Sequence, residues 1–335
     1  MARQNGGILS RKIQRLGASS LIVTLPKDWA RRNGVKVGDI LKIYDSGDKL
    51  IIAPDGKVPK ISLKMNLSHY NVEKHAPRLV LCSYTFGYDE LIYYSNKNIK
   101  ENIIERLRKV EAMLEGVRMN VIHRHTIHID FNYNNDNVFD IMIEYGRSIS
   151  RVLNKLSGFL DGNVIYTKEE LDKEYAMLQV MNYKLLRAAN KAHVIDMHQD
   201  RQARYLASAS DLIGLVNDSV YKLGVDILYM SDLLSDSERQ RLSFLLQVLE
   251  VAVSTVVNSI NPASVKKAEE SYWKVRSILD LEGNLREVVE NDSPAFAYLL
   301  AKIIDIARII EIVENVILCH ALISKFNEAG PGESR

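Results

Sequence analysis

The sequence predicts a multidomain, mainly α-helical protein: a small β module at the N-terminus, a small α/β unit in the middle and a six-helix body behind it. Three observations carry that expectation. Residues 8–53 hold four short β-rich runs around one short helical stretch. Residues 60–132 switch between strand and helix periodicity. From Asp136 onward, apolar residues step by three and four through six successive stretches. A chain of 335 residues has room for two or three domains, each with its own core.

In the first module, residues 1–55, the run Ser19 to Leu25 is β-rich and stops at Pro26. Pro26 suits the first turn of a helix carrying Lys27 to Arg32, because a missing N–H costs nothing there. Asn33-Gly34 closes that helix, since glycine tolerates the left-handed cap. Asp45 to Asp48 makes a hairpin turn between Ile40–Tyr44 and Lys49–Ile52. Four strands this short make a thin core for one copy, so dimerisation is expected. Pro54 to Pro59, with two prolines and a glycine, reads as a stiff boundary.

The middle unit, residues 60–132, reads in order. Lys60 to Met65 alternates like a strand, and Val72 to Phe86 is a helix interrupted or kinked near Pro77. Glu90 to Ser95 is a strand, and Ile99 to Leu114 is a helix with Ile103, Leu107, Val110 and Leu114 on one face. Val117 to Phe131 alternates again.

The body, residues 135–325, shows its seams plainly. Val138, Ile141, Tyr145, Ile149, Val152 and Leu156 form the first, and Ile303, Ile306, Ile310, Val313 and Ile317 the last. Thr167 with Glu170, and Ser235 with Glu238, have capping-box spacing. Asn261-Pro262 and Ser293-Pro294 place an N-cap residue before a first-turn proline. Six helices in two runs of three suggest a duplicated three-helix bundle.

Composition removes several classes. Two cysteines, Cys82 and Cys319, stand far apart in apolar contexts, which fits a reducing compartment rather than a disulfide scaffold. No charged-then-apolar leader opens the chain, so a cytoplasmic location is expected. The most apolar segment, Ala295 to Ile323, contains Lys302, Asp305, Arg308, Glu311 and Glu314; it reads as a bundle helix, and an integral membrane protein is not expected. No phosphate-binding Gly loop, zinc-protease string or nucleophile elbow is present, so neither an enzyme nor a bound cofactor is expected.

The net charge of +2 conceals an asymmetry. Residues 1–60 carry 12 Lys+Arg and 5 Asp+Glu, hence +7, which leaves −5 for the remainder. A basic head on an acidic body suits a nucleic-acid reader with a regulatory body. The candidate DNA contacts are Arg3, Arg11, Lys12, Arg15, Arg31 and Arg32, with Ser19 and Ser20 as hydroxyl donors to phosphate. Arginine serves both phosphate and bidentate guanine contacts.

Metal ligands are sparser. His123 and His125 would share a strand face, with His128 and Asp130 on the other; two ligands make a weak site, and no metal centre is expected. Asp211 with Asp218, and Glu311 with Glu314, share helix faces and read first as solvated bundle surface.

The pairs Arg11-Lys12, Leu16-Gly17, Leu25-Pro26 and Arg31-Arg32 together resemble the SpoVT/AbrB family of swapped-hairpin DNA-binding domains. The resemblance covers nearly all of residues 8–53 and implies an interleaved β-barrel that binds DNA as a homodimer. The loop Gly17 to Ser20 departs from it, because other members often carry a further basic residue there.

The six-helix body resembles the PhoU family of phosphate-signalling proteins, built from two three-helix bundles with paired acids that hold metals. The corresponding strings here are Leu212 to Asn217 and Ile306 to Glu311. Their first acid positions hold Ile213 and Ala307, the second hold Asn217 and Glu311, and the position four before Asp172 holds Lys168. The resemblance therefore implies the fold of residues 135–325 but not the metal cluster. A head and body of these kinds together resemble archaeal phosphate uptake regulators. That implies a dimeric or higher-order regulator of phosphate homeostasis acting at promoter DNA. The alternative is an adaptor that works through phosphate transporter components or a signalling kinase, with the head only dimerising. A third reading is a metal or anion sensor using His123, His125 or the remaining carboxylates.

Overall fold

Local hydrogen bonding explains how the first segment folds back on itself. In the computed structural model, which describes residues 10–17, 20–45, 50–54, 60–132, 137–195, 200–260, 264–280 and 290–328, β1 (Gln14–Leu16) pairs antiparallel with β2 (Ser20–Ile22). Helix α1 (Lys27–Arg32) starts after Pro26, with Asp28 in its first turn and Arg31 and Arg32 in its last, as the helix dipole favours. The Asn33 side chain donates to Trp29 O at 2.8 Å and Gly34 takes φ +65°, ending the helix. Strands β3 (Leu41–Asp45) and β4 (Leu50–Pro54) form a second antiparallel hairpin. The two hairpins are separate two-stranded sheets.

The chain divides into two compact units, Met1–Pro59 and Lys60–Arg335. The second unit opens with a four-stranded sheet in the order β5 (Ser62–Asn66), β6 (Glu90–Tyr94), β8 (Thr126–Phe131), β7 (Val117–Ile122). Strands β5 and β6 are parallel, joined by α2 (Tyr70–Thr85); β8 is antiparallel to both its neighbours. Leu91, Tyr93, Ile127, Ile129 and Met119 pack with Ala76 and Val80 of α2 and with Ile103 and Leu107 of α3 (Glu101–Met113) in one cluster. The opposite sheet face carries Ser62, Lys64, Glu90, Tyr94, Arg118, Asn120, His128 and Asp130, none of them buried. Helix α2 runs through Pro77 rather than breaking there. One lost N–H bond is outweighed by the burial of Ala76, Val80 and Tyr84 against the sheet. The Tyr93 hydroxyl, itself buried, donates to Ala76 O at 2.7 Å.

Among the described residues six α-helices follow: α4 (Val138–Leu160), α5 (Lys168–Ile195), α6 (Asp200–Met230), α7 (Asp236–Asn258), α8 (Val265–Leu279) and α9 (Pro294–Glu328). Three of these starts, those of α5, α7 and α9, are set by caps visible in the sequence. Thr167 and Glu170 exchange hydrogen bonds, as do Ser235 and Glu238, and Ser293 Oγ accepts from Phe296 N at 3.1 Å. Asn261-Pro262 lies outside the described residues. Helix α4 packs along α7, and α6 along α9. One continuous cluster takes in Tyr145, Leu171, Leu223, Leu249, Val275 and Ile303, one from each helix, so both runs of three share a single core.

Helix α5 also ties this body to the sheet layer. Buried Arg187 donates to Tyr84 O at 2.9 Å, Tyr88 O at 2.8 Å and Phe131 O at 3.1 Å. Its guanidinium lies over the rings of Tyr84 and Phe131. Asn190 donates to Thr85 O at 2.8 Å, and Lys191 pairs with Asp89. Thus the C-terminal carbonyls of α2 are capped by a helix some hundred residues away in sequence.

Among the described residues one helix, α7, is long and apolar enough to cross a membrane. Its seam of Leu242, Leu246, Leu249, Ala252, Val253 and Val256 is buried in the shared core.

Candidate nucleic-acid interface

The head brings its cations forward on short, well-defined elements. Arg11 and Lys12 stand just before β1, not within it, and Arg15 sits in β1 directly across from Leu21. Ser20 opens β2 across from Leu16. Arg31 and Arg32 form the last turn of α1. All six of these side chains are exposed. Arg3 and Ser19 lie outside the described residues. Arg31 reaches Asp28 at 3.0 Å, an exposed pair of little energetic weight. Arg11 donates to Ser10 O at 3.0 Å. Among the described residues no acid pairs with Arg11, Lys12, Arg15 or Arg32, so their donors are open to an external anion.

Equally informative is what the head fails to bury. No described residue of this unit is buried. Leu21 is 70% exposed, Ile40 73% and Ile43 63%, with Ile13, Leu16, Val37 and Leu50 exposed as well. Two hairpins and one short helix thus present an apolar surface that has no counterpart among the described residues of the unit. Exposed apolar side chains on so small a module suit an interaction surface.

Residues 14–60 match the family model described as antidote-toxin recognition MazE, bacterial antitoxin. This stretch is an AbrB/MazE-like swapped-hairpin domain, a class consistent with DNA binding and dimerisation. No curated protein and no solved structure matches the chain.

The other site candidates fare differently. His123 and His125 do not share a strand face. Strand β7 ends at Ile122 and β8 begins at Thr126, so both histidines lie in the exposed hairpin turn, with His123 at φ +55°. Alternation across the turn had suggested otherwise; a turn of three residues breaks the period of two. The structure instead gathers His128 and Asp130 with Glu90, a residue that sequence reading left as part of a strand.

On the helices, Ile213 and Ala307 are core residues. Asp218 accepts from Tyr175 at 2.9 Å and Gln179 at 2.7 Å, and Asp172 is held by Lys168 at 2.6 Å and by Tyr221. The hydrogen bond from Lys168, then that from Tyr221, lowers the Asp172 pKa. Glu314 is not a solvated surface acid: it is 2% exposed, and burial pushes its carboxyl up to about 7. Its seam position is four residues past Ile310, which the step rule assigns to the core; only its charge argued otherwise.

Proposed function

We propose that this chain is a homodimeric DNA-binding regulator of phosphate uptake, cytoplasmic, whose PhoU-like helical body receives the signal. The observation that carries this reading is the head: an AbrB/MazE-like module with exposed apolar hairpins and Arg11, Lys12, Arg15 and Arg32 unpaired by any described acid. A second copy would cover the apolar hairpins and set two basic edges side by side. Two-fold symmetry then favours a roughly palindromic site. The phosphate role rests on the resemblance of the body, with its amphipathic helices and their buried seams.

The test is a binding titration of the full-length protein against its own upstream region and phosphate-transport promoters at two salt concentrations. Sequence-dependent binding is expected. With three phosphates contacted per head, the log–log salt slope is about −5. Arg11→Ala with Arg15→Ala weakens binding across all sequences and flattens the slope. Unaltered binding by that double variant at moderate salt rejects the assigned surface.

A second reading, an adaptor without a DNA target, is favoured by one observation: the matched family is described by recognition of a protein, a toxin. Weak, sequence-blind DNA binding together with co-purification of a phosphate transporter component favours it.

A further inference from the structure

The open face of the β5–β6–β8–β7 sheet holds Glu90, His128 and Asp130, each offering one ligand atom within 4.8 Å of the others. We propose that these three side chains form a binding site for a divalent transition-metal ion of the zinc class. The proposal goes beyond the DNA-binding reading and does not depend on it.

Geometry carries the argument. His128 Nε2 lies 2.9 Å from Glu90 Oε2 and 3.7 Å from Asp130 Oδ1. Ligands bound to zinc at 2.0–2.2 Å with tetrahedral angles stand about 3.3 Å apart, so the two observed separations bracket what the ion requires.

The backbone beneath is fixed. Glu90 is in register with Asp130, and the next pair on this face is Ile92 with His128, across neighbouring antiparallel strands. Sites on paired strands hold their ligands more firmly than sites on loops. A supporting shell is also present: Ser62 Oγ donates to Glu90 Oε1, which leaves Oε2 turned toward the histidine.

The donor set has a chemical preference. One imidazole and two carboxylates suit borderline ions, whereas Ca²⁺ takes six to eight oxygens and Mg²⁺ keeps most of its water. Two carboxylates and a neutral imidazole carry −2, which a divalent ion cancels. The side chains are 16–26% exposed, shielded enough to strengthen the charges yet open to an entering ion. The competitor is on the chain itself. Lys60 Nζ lies 3.8 Å from Asp130 Oδ1 but is 69% exposed and free to swing into solvent. Arg118 stands across from Asp130 on β7, also exposed. Metal entry therefore displaces Lys60 from Asp130 and leaves the sheet unaltered.

The experiment is calorimetric titration of chelator-stripped full-length protein with Zn²⁺, paralleled by Co²⁺ absorption spectra. One equivalent per chain is expected, with intense cobalt d–d bands from a low-symmetry site of four or five ligands. His128→Ala and the near-isosteric Glu90→Gln each abolish it, with circular dichroism confirming that the helical content is kept. Should His128→Ala fail to fold, Glu90→Gln alone decides. Ser62→Ala weakens binding about 10–100-fold. His123→Ala with His125→Ala leaves it unchanged. Substoichiometric uptake, or uptake that survives Glu90→Gln, overturns the assignment.

Discussion

Glu314 gives the sharpest handle on the energetics of the helical body. It sits in the seam of α9 at 2% exposure. Its Oε1 accepts from Ser271 Oγ on α8, a hydroxyl that also reaches Ala252 O of α7 at 3.2 Å, while Oε2 has no partner among the described residues. Burial raises the carboxyl pKa from 4.5 to about 7; the Ser271 hydrogen bond pulls it down, and Glu311, nearly one turn earlier, pushes it up again. Arg276 approaches Glu311 only to 4.0 Å and offsets little of that repulsion.

The sign follows directly. The folded protein holds this proton to higher pH than the unfolded chain does. The associated stability is complete below pH 4.5, declines through the window from 4.5 to about 7, and is gone above it. The shift of about 2.5 units, at 1.36 kcal/mol each, corresponds to about 3 kcal/mol across the window. Glu314→Gln removes the titration while keeping shape. Subtracting its urea-unfolding free energy from that of the wild type, pH by pH, cancels the groups that do not interact with Glu314, leaving its own titration and its coupling to Glu311. The difference is expected to fall by about 3 kcal/mol from pH 4.5 to 7 and to favour the variant above that. Parallel profiles for the two proteins would refute the reasoning: the carboxylate would then be solvated, and α9 would not bury this face.

Other perturbations probe other joints. Gly146→Ala is expected to destabilise by about 1–3 kcal/mol despite its helix propensity, because the added Cβ would lie 2.5 Å from Val257 Cγ1 where α4 meets α7. Val257→Ala in the same chain should recover part of that loss in a thermal melt. Arg187→Ala removes the guanidinium that three carbonyls share, of which Tyr84 O keeps its bond from Gly87 N, and a loss of about 3 kcal/mol, with a separate early unfolding step of the sheet layer, is expected by denaturation with paired probes. For Glu238, burial raises the pKa, but the backbone N–H groups of Ser293 and Ser235 and their hydroxyls outweigh it and hold the carboxyl at about 2. Its contribution of about 3 kcal/mol is present above pH 4.5 and lost as pH falls toward 2, so Glu238→Gln should flatten the acid limb. In the head, Leu21→Lys with Ile43→Lys should convert a dimer to a monomer in sedimentation velocity; an unchanged dimer would place the contact elsewhere.

Local rules were legible and long-range polar contacts were not. The caps at Thr167, Ser235 and Ser293 form as their spacing dictates, because a cap is decided within four residues. The seam of α9 is buried as read, and so is that of α4 apart from the half-buried Ile141, since the helical period needs no knowledge of the partner. Arg187 and Lys191 show the opposite. On periodicity alone both are charges on a long helix, yet both are buried, because their acceptors at Tyr84, Tyr88, Phe131 and Asp89 come from a different layer. Likewise Glu90 joins His128 and Asp130 only through the pairing of β6 with β8, a register that no stretch of either strand specifies by itself.

The same distinction explains the head. Its local structure follows from Pro26 and Gly34, and its short strands pair antiparallel as expected. Its core does not, because the apolar residues that ought to meet, Leu21, Ile40 and Ile43 among them, face outward in a single copy. Burying even half of such side chains returns about 1 kcal/mol each, so a handful of them outweighs the cost of holding two chains together only when the surfaces interdigitate. Interleaving of two copies would make folding of the head and dimerisation the same event. The unfolding midpoint of the head is therefore expected to rise with protein concentration while that of the helical body stays fixed. A head midpoint that ignores concentration would mean that a single copy folds alone, and the dimeric reading surface for DNA would lose its basis.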